Sequence, residues 1–135
     1  MISVYIHIPF CRRKCSYCDF VSYAGREDLM EAYVGALISE LSMHGALLRN
    51  GVATVYFGGG TPSLLSPEQI FRILRAVRAN GPLAGNGEIT LEVNPGTTNR
   101  GVLAGFRDAG ITRLSAGAQS FDDTLLARLG RIHHA

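Results

Sequence analysis

The run Tyr5-Ile6-His7-Ile8-Pro9-Phe10-Cys11-Arg12-Arg13-Lys14-Cys15-Ser16-Tyr17-Cys18 decides how this chain is read. Its first half is β-rich and ends at a proline, so residues 3–9 are expected to form a strand. Its second half places three cysteines at C-x3-C-x2-C spacing directly after that strand, and the remaining residues contain no other cysteine. An odd number of thiols on one short loop does not make a disulfide framework and fits a reducing cytosol. Three thiolates so placed can bind three corners of a cubane cluster, leaving the fourth iron without a protein ligand, whereas iron–sulfur clusters otherwise take four. Two other readings stand beside this one. Three free core cysteines would need burial, yet Arg12, Arg13 and Lys14 lie between them. A zinc site with His7 as fourth ligand lacks the second Cys or Cys/His pair that structural zinc motifs carry. Beside a cluster, the basic triplet would lower thiolate pKa values and offset the cluster's negative charge.

Working outward, the apolar positions Leu29, Tyr33, Leu37 and Leu41, flanked by Met30, Val34 and Ile38, predict a helix from Glu27 to about Arg49 closed by Gly51. A second strand covers 53–57. Ser66-Pro67-Glu68-Gln69 then opens a helix with serine at the N-cap, proline at N1 and glutamine at N3, a capping box. Ile70, Ile73, Leu74 and Val77 carry this helix to Asn80-Gly81. A third strand covers 88–93, a helix runs over about 99–109 to Gly110, a fourth strand covers 112–116, and a last helix covers about 122–129. The order is β-α four times over. Such repeats build α/β folds with a parallel sheet, curled into a barrel or open and doubly wound. In both cases ligands gather where the strands end, and every unusual motif here follows a strand C-terminus.

Gly58-Gly59-Gly60-Thr61-Pro62 ends the second strand. Three glycines expose backbone polar groups and admit a ligand closely. The segment lacks the lysine and spacing of a phosphate-binding Walker loop, and a plain tight turn is the other reading. In the third strand, period-two alternation puts Glu88, Thr90 and Glu92 on one face, where an acidic residue pointing into a barrel is costly unless paired.

C-x3-C-x-Tyr-C after a first strand resembles the radical S-adenosylmethionine (SAM) superfamily. The string from Tyr5 to Cys18-Asp19-Phe20 resembles one subgroup within it, the oxygen-independent coproporphyrinogen III oxidase-like proteins, and the likeness extends over essentially the whole chain. That subgroup contains a coproporphyrinogen dehydrogenase and a related haem chaperone. The resemblance implies a partial TIM barrel of six strands, of which about four are present, so residues 1–135 are expected to be the N-terminal part of the core domain. The later strands and a C-terminal domain, with one further acidic SAM contact, would lie outside it. It implies a [4Fe–4S] cluster on Cys11, Cys15 and Cys18, and SAM bound by Tyr5, Tyr17, Gly59, Gly60, Thr61, Glu92, Gln119 and Arg131. Glu92 would hold the ribose hydroxyls, Arg131 would sit near the carboxylate and Tyr17 near the adenine. The glycine loop stands where the superfamily has a motif contacting the SAM amino group, with Gly60-Thr61 in place of its acidic residue. The chemistry implied is reductive cleavage of SAM, which the protein serves by position, dryness and redox tuning. In the dehydrogenase a fourth cysteine lies two residues past the third. Here that position is Phe20, the chaperone-type ending, and haem is then the implied cargo; coproporphyrinogen III decarboxylation is the alternative, and a zinc module a remote one. Partners implied are SAM, haem or porphyrinogen, haem-receiving proteins and an electron donor. His7, His44, His133 and His134 are the histidines available to haem. Ala116 and Ala118 replace bulkier aliphatics of the subgroup, and Asn99-Arg100-Gly101 lacks its usual acidic helix start.

Composition bounds the rest. A chain 47% hydrophobic and 18% charged buries a core. A net charge of +2, scattered along the sequence, gives no footprint for nucleic acid. The apolar runs are too short and broken to span a membrane, and no basic segment precedes the first one as a signal peptide requires.

Overall fold

The computed structural model describes residues 1–135. Four parallel strands form one sheet: β1 (Ile2–Ile8), β4 (Val52–Gly59), β5 (Ile89–Val93) and β6 (Arg113–Ala116), in that spatial order. Two shorter strands, β2 (Phe10–Cys11) and β3 (Tyr23–Ala24), pair in parallel beside it. Between the main strands lie α1 (Met30–Met43), α2 (Gly45–Leu48), α3 (Pro67–Asn80) and α4 (Arg100–Ala109), and α5 (Asp123–Leu129) follows β6.

Sequential order decides between the two architectures left open by the sequence. Each crossover lands on the next strand in the same direction, with no reversal of order, so the sheet is a barrel wall and not a doubly wound sheet. Alternation along each strand sorts the two faces. Ile6, Ile8, Val55, Phe57, Ile89 and Leu91 point to the helices and are buried with Met30 and Val34 of α1, Ile70, Ile73, Leu74 and Val77 of α3, and Phe106 and Ala109 of α4. The opposite face carries Tyr5, His7, Tyr56, Thr90, Glu92 and Ser115, polar or amphipathic groups that a fully covered parallel strand would not carry.

The caps follow the sequence closely. Ser66 accepts from the Gln69 N–H at 3.2 Å, and the Gln69 side chain accepts from the Ser66 N–H at 2.9 Å. Asn99 caps α4 by accepting from Val102 N–H, so the missing acidic start is replaced by an asparagine that does the same work. One expected helix is interrupted. Residues 27–49 form a 3₁₀ turn, α1 and then α2, because the backbone leaves helical geometry at His44. There Gly45 packs so closely on Asn80 of α3 that a β-carbon would meet its Oδ1 at 2.7 Å.

Candidate functional site

A cavity of about 270 Å³ opens at the C-terminal end of the sheet. Cys11, Cys15, Cys18, Tyr17, Gly59, Gly60, Thr61, Glu92, Gln119 and Arg131 all line it, so segments up to 120 residues apart in sequence meet at one place. Of the SAM contacts expected from the resemblance, only Tyr5 is not in its wall. Tyr5 lies on edge strand β1, with Tyr56 of β4 between it and Glu92: the two tyrosine rings stack with centroids 6.1 Å apart.

The cysteine loop is held at both ends. After Cys18 the chain returns to pair with β2, with Tyr23 N–H donating to Pro9 O at 2.7 Å and Gly25 N–H to Cys11 O at 3.1 Å. This ladder is only two residues long and has no signature in the sequence. At its middle, Ser16 donates through its N–H to Leu129 O at 3.3 Å and through its hydroxyl to the carbonyls of Arg128 and Leu129. The last turn of α5 therefore has its free carbonyls satisfied by the cysteine loop.

The glycine loop presses on the same cysteines. Gly59 has φ +113°, a conformation side chains resist, and a β-carbon on Gly60 would stand 2.8 Å from Phe10 O and 3.0 Å from Cys11 Sγ. Thr61 donates its hydroxyl to Cys11 Sγ at 3.4 Å. Ser63, just beyond, accepts from the Asn94 N–H at 3.0 Å and so ties the loop to the end of β5. The glycine run is thus a close-approach segment and more than a turn.

Arg131 reaches three groups: its guanidinium donates to Gly117 O at 2.6 Å, Tyr17 Oη at 3.5 Å and Cys15 Sγ at 3.6 Å. Its Nε is buried without a partner. Burial and the neighbouring Cys15 raise the Tyr17 phenol above its ordinary pKa, opposed by Arg131. Gln119 is the one non-glycine residue with positive φ, at 66°. Such strain clusters at ligand sites. Glu92 is paired as its position demands, accepting from the Tyr56 hydroxyl at 2.7 Å. That hydrogen bond is the main reason the Tyr56 phenol is raised in pKa. Sequence reasoning missed Tyr56, although the alternation that selects Glu92 on β5 selects Tyr56 equally on β4.

His7 is committed elsewhere. Val21 O can only accept, so Nε2 carries the proton at 2.9 Å, and in the neutral ring Nδ1 accepts from the Tyr5 hydroxyl at 3.2 Å. Both ring nitrogens have protein partners, and His7 does not line the cavity that the three cysteines share. No three His, Cys, Asp or Glu side chains are grouped as a single ion requires. The residues present fit a cluster with a bound amino acid: three thiols around one cavity are soft donors suited to iron–sulfur, and a buried, unpartnered guanidinium nitrogen at its wall suits a carboxylate.

A barrel wall of parallel β/α units, three cysteines after the first strand and a glycine loop after the second define a class, and the comparison with known families agrees: the chain belongs to the radical SAM superfamily, whose family description matches residues 5–135. Membership implies a [4Fe–4S] cluster and SAM. Within that class the chain is similar to the heme chaperone HemW of Escherichia coli (strain K12), 46% identical over 134 residues, covering 98% of this chain and 35% of the relative. It is also similar to the mitochondrial radical S-adenosyl methionine domain-containing protein 1 of Bos taurus, 43% identical, covering 98% of this chain and 30% of that one. Among solved structures it matches coproporphyrinogen III oxidase (HemN) from Escherichia coli with a TM-score of 0.90 and 32% identity, over 98% of this chain and 31% of that one. The chain therefore spans about a third of the length of these relatives. No helix is long and apolar enough to cross a membrane.

Proposed function

We propose that residues 1–135 form the first part of the barrel of a haem-handling radical SAM protein, and that this protein is a cytosolic haem chaperone of the HemW kind. The observation that carries the choice is Phe20. It occupies the position where the dehydrogenase has a fourth cysteine, and it lines the same cavity as Cys11, Cys15 and Cys18. A large apolar ring there brings no thiol to the cluster loop, while the positions for cluster and SAM remain. The names of the relatives 43–46% identical in bacteria support the same reading.

In this reading Cys11, Cys15 and Cys18 would hold the [4Fe–4S] cluster at the cavity they line. A cluster held there would supply one-electron reducing chemistry for the cleavage of SAM, with its electrons coming from a separate donor. The chain's own residues bind and orient. Glu92 accepts the ribose hydroxyls, Arg131 and Gln119 hold the amino-acid end, and Gly59, Gly60 and Thr61 line the approach. Tyr17 would cover the cluster beside the adenine, and Tyr5, outside the wall, backs the site through the ring of Tyr56. Haem and the proteins that receive it are partners of the whole protein, as is the electron donor.

A second reading, coproporphyrinogen III oxidation, is favoured by the structural match to HemN. One anaerobic experiment separates the two: haem titration beside product analysis with coproporphyrinogen III, SAM and a reductant, on the protein extended to the length of its relatives. Haem binding without protoporphyrinogen IX is expected. Decarboxylated product at catalytic levels with no haem bound would favour the oxidase.

A further inference from the structure

Glu92 offers two carboxylate oxygens, and they are not equivalent. Oε1 is taken by the Tyr56 hydroxyl at 2.7 Å, while no side chain or backbone group donates to Oε2. A glutamate at a strand end turns about three side-chain bonds, and an unpinned one must give up that freedom when a ligand binds. Tyr56 removes the freedom beforehand.

Tyr56 can do so because it is itself fixed. Its ring stacks on Tyr5 with an interplanar angle of 20°. The Tyr5 hydroxyl is held by His7, and His7 by Val21 O, so the row runs from the cysteine-loop exit across β1 and β4 to β5. Gly58, the next inward position on β4, leaves the room both rings fill: a β-carbon there would lie 2.9 Å from each. The adjoining inward position on β5, Thr90, donates to Glu88 and does not compete for Glu92.

We propose that Tyr56 is the positioning residue for Glu92: its hydroxyl fixes one carboxylate oxygen so that the other is presented, already oriented, to a vicinal diol in the cavity. The inference rests on the reading of Glu92 as the ribose-binding group. The phenol's raised pKa agrees with it, since the carboxylate holds the phenolic proton in place.

The test uses the cluster-reconstituted protein, extended to the length of its relatives, and two probes. S-adenosylhomocysteine carries the ribose diol; methionine carries the amino acid without it. Their binding is read by calorimetry and by the change each makes in the cluster's spectrum. Tyr56→Phe is expected to weaken S-adenosylhomocysteine about tenfold, the size of one charge-assisted hydrogen bond, and to leave methionine unchanged. Glu92→Gln should weaken the same probe, and the double variant should be no weaker than Glu92→Gln alone, because Tyr56 acts only through Glu92. Wild-type affinity in Tyr56→Phe overturns the inference, as do additive losses or equal loss of both probes. Unchanged affinity in Glu92→Gln overturns the ribose reading and the inference with it.

Discussion

Single residues at this site are each tied to one partner, and the expected effects of changing them follow from that. Cys11, Cys15 and Cys18 are the only thiols in the chain. Anaerobic reconstitution should yield about four irons per chain, and Ala at any one of the three should abolish the visible charge-transfer absorption, because three thiolates are the minimum set. Zinc bound with tetrahedral geometry, without iron, would contradict this. Glu92→Gln should weaken SAM binding by about 1.5–3 kcal/mol while the cluster absorption persists; equal affinity would remove Glu92 from the site. Gly60→Ala tests a contact no alignment of motifs displays. Its methyl group would meet Phe10 O, a backbone atom that cannot yield, and Cys11 Sγ. The expected result is a lowered iron content in reconstitution, whereas the same substitution at Gly85, where nothing lies within 4 Å of the new carbon, should leave it unchanged.

At the scale of elements, much was legible because local chemistry and tertiary packing agree. The capping box at Ser66, the glycine stop of α4 and the four strands stand within a residue or two of where sequence places them. The break at His44 was not legible: the apolar spacing gives no sign of it, and the close packing of Gly45 on Asn80 belongs to another helix. Nor was the β2–β3 ladder, whose hydrogen bonds depend on where the cysteine loop returns. Tyr56 was readable by alternation but its role was not, because only the register between β4 and β5 sets it opposite Thr90 and beside Glu92. Two element-scale outcomes follow. Ser66→Ala removes the α3 cap and should cost about 1 kcal/mol, read as a several-fold faster exchange of amides near the start of α3. Glu31 of α1 accepts from Gln69 and Arg72 of α3, and those hydrogen bonds hold its carboxyl below the ordinary value of 4.5. Its stabilising effect is therefore complete above that ordinary value and is lost as pH falls through the lower folded one. The thermal midpoint should fall more steeply on acidification in the wild type than in Glu31→Gln; parallel curves would exclude the link.

Taken together, residues 1–135 form a parallel sheet with helices on one side and a polar face on the other. Strands β1 and β6 are its edges, each with a row of unpaired backbone groups. These 135 residues expressed alone should associate with rising concentration, measured by light scattering; a monodisperse monomer would show the edges to be protected. A different consequence follows from the grip of α5 on the cysteine loop. Ser16 finds its partners 112 and 113 residues later, at Arg128 and Leu129. At about 5–20 residues per second of synthesis, the nascent loop waits on the order of 6–20 s for the helix that will hold it. During that interval the three thiols are exposed on an unfinished sheet. Iron–sulfur insertion is therefore expected to await release of the last helix from the ribosome: chains stalled before residue 122 should take up no cluster from a donor, and chains stalled well beyond residue 131 should.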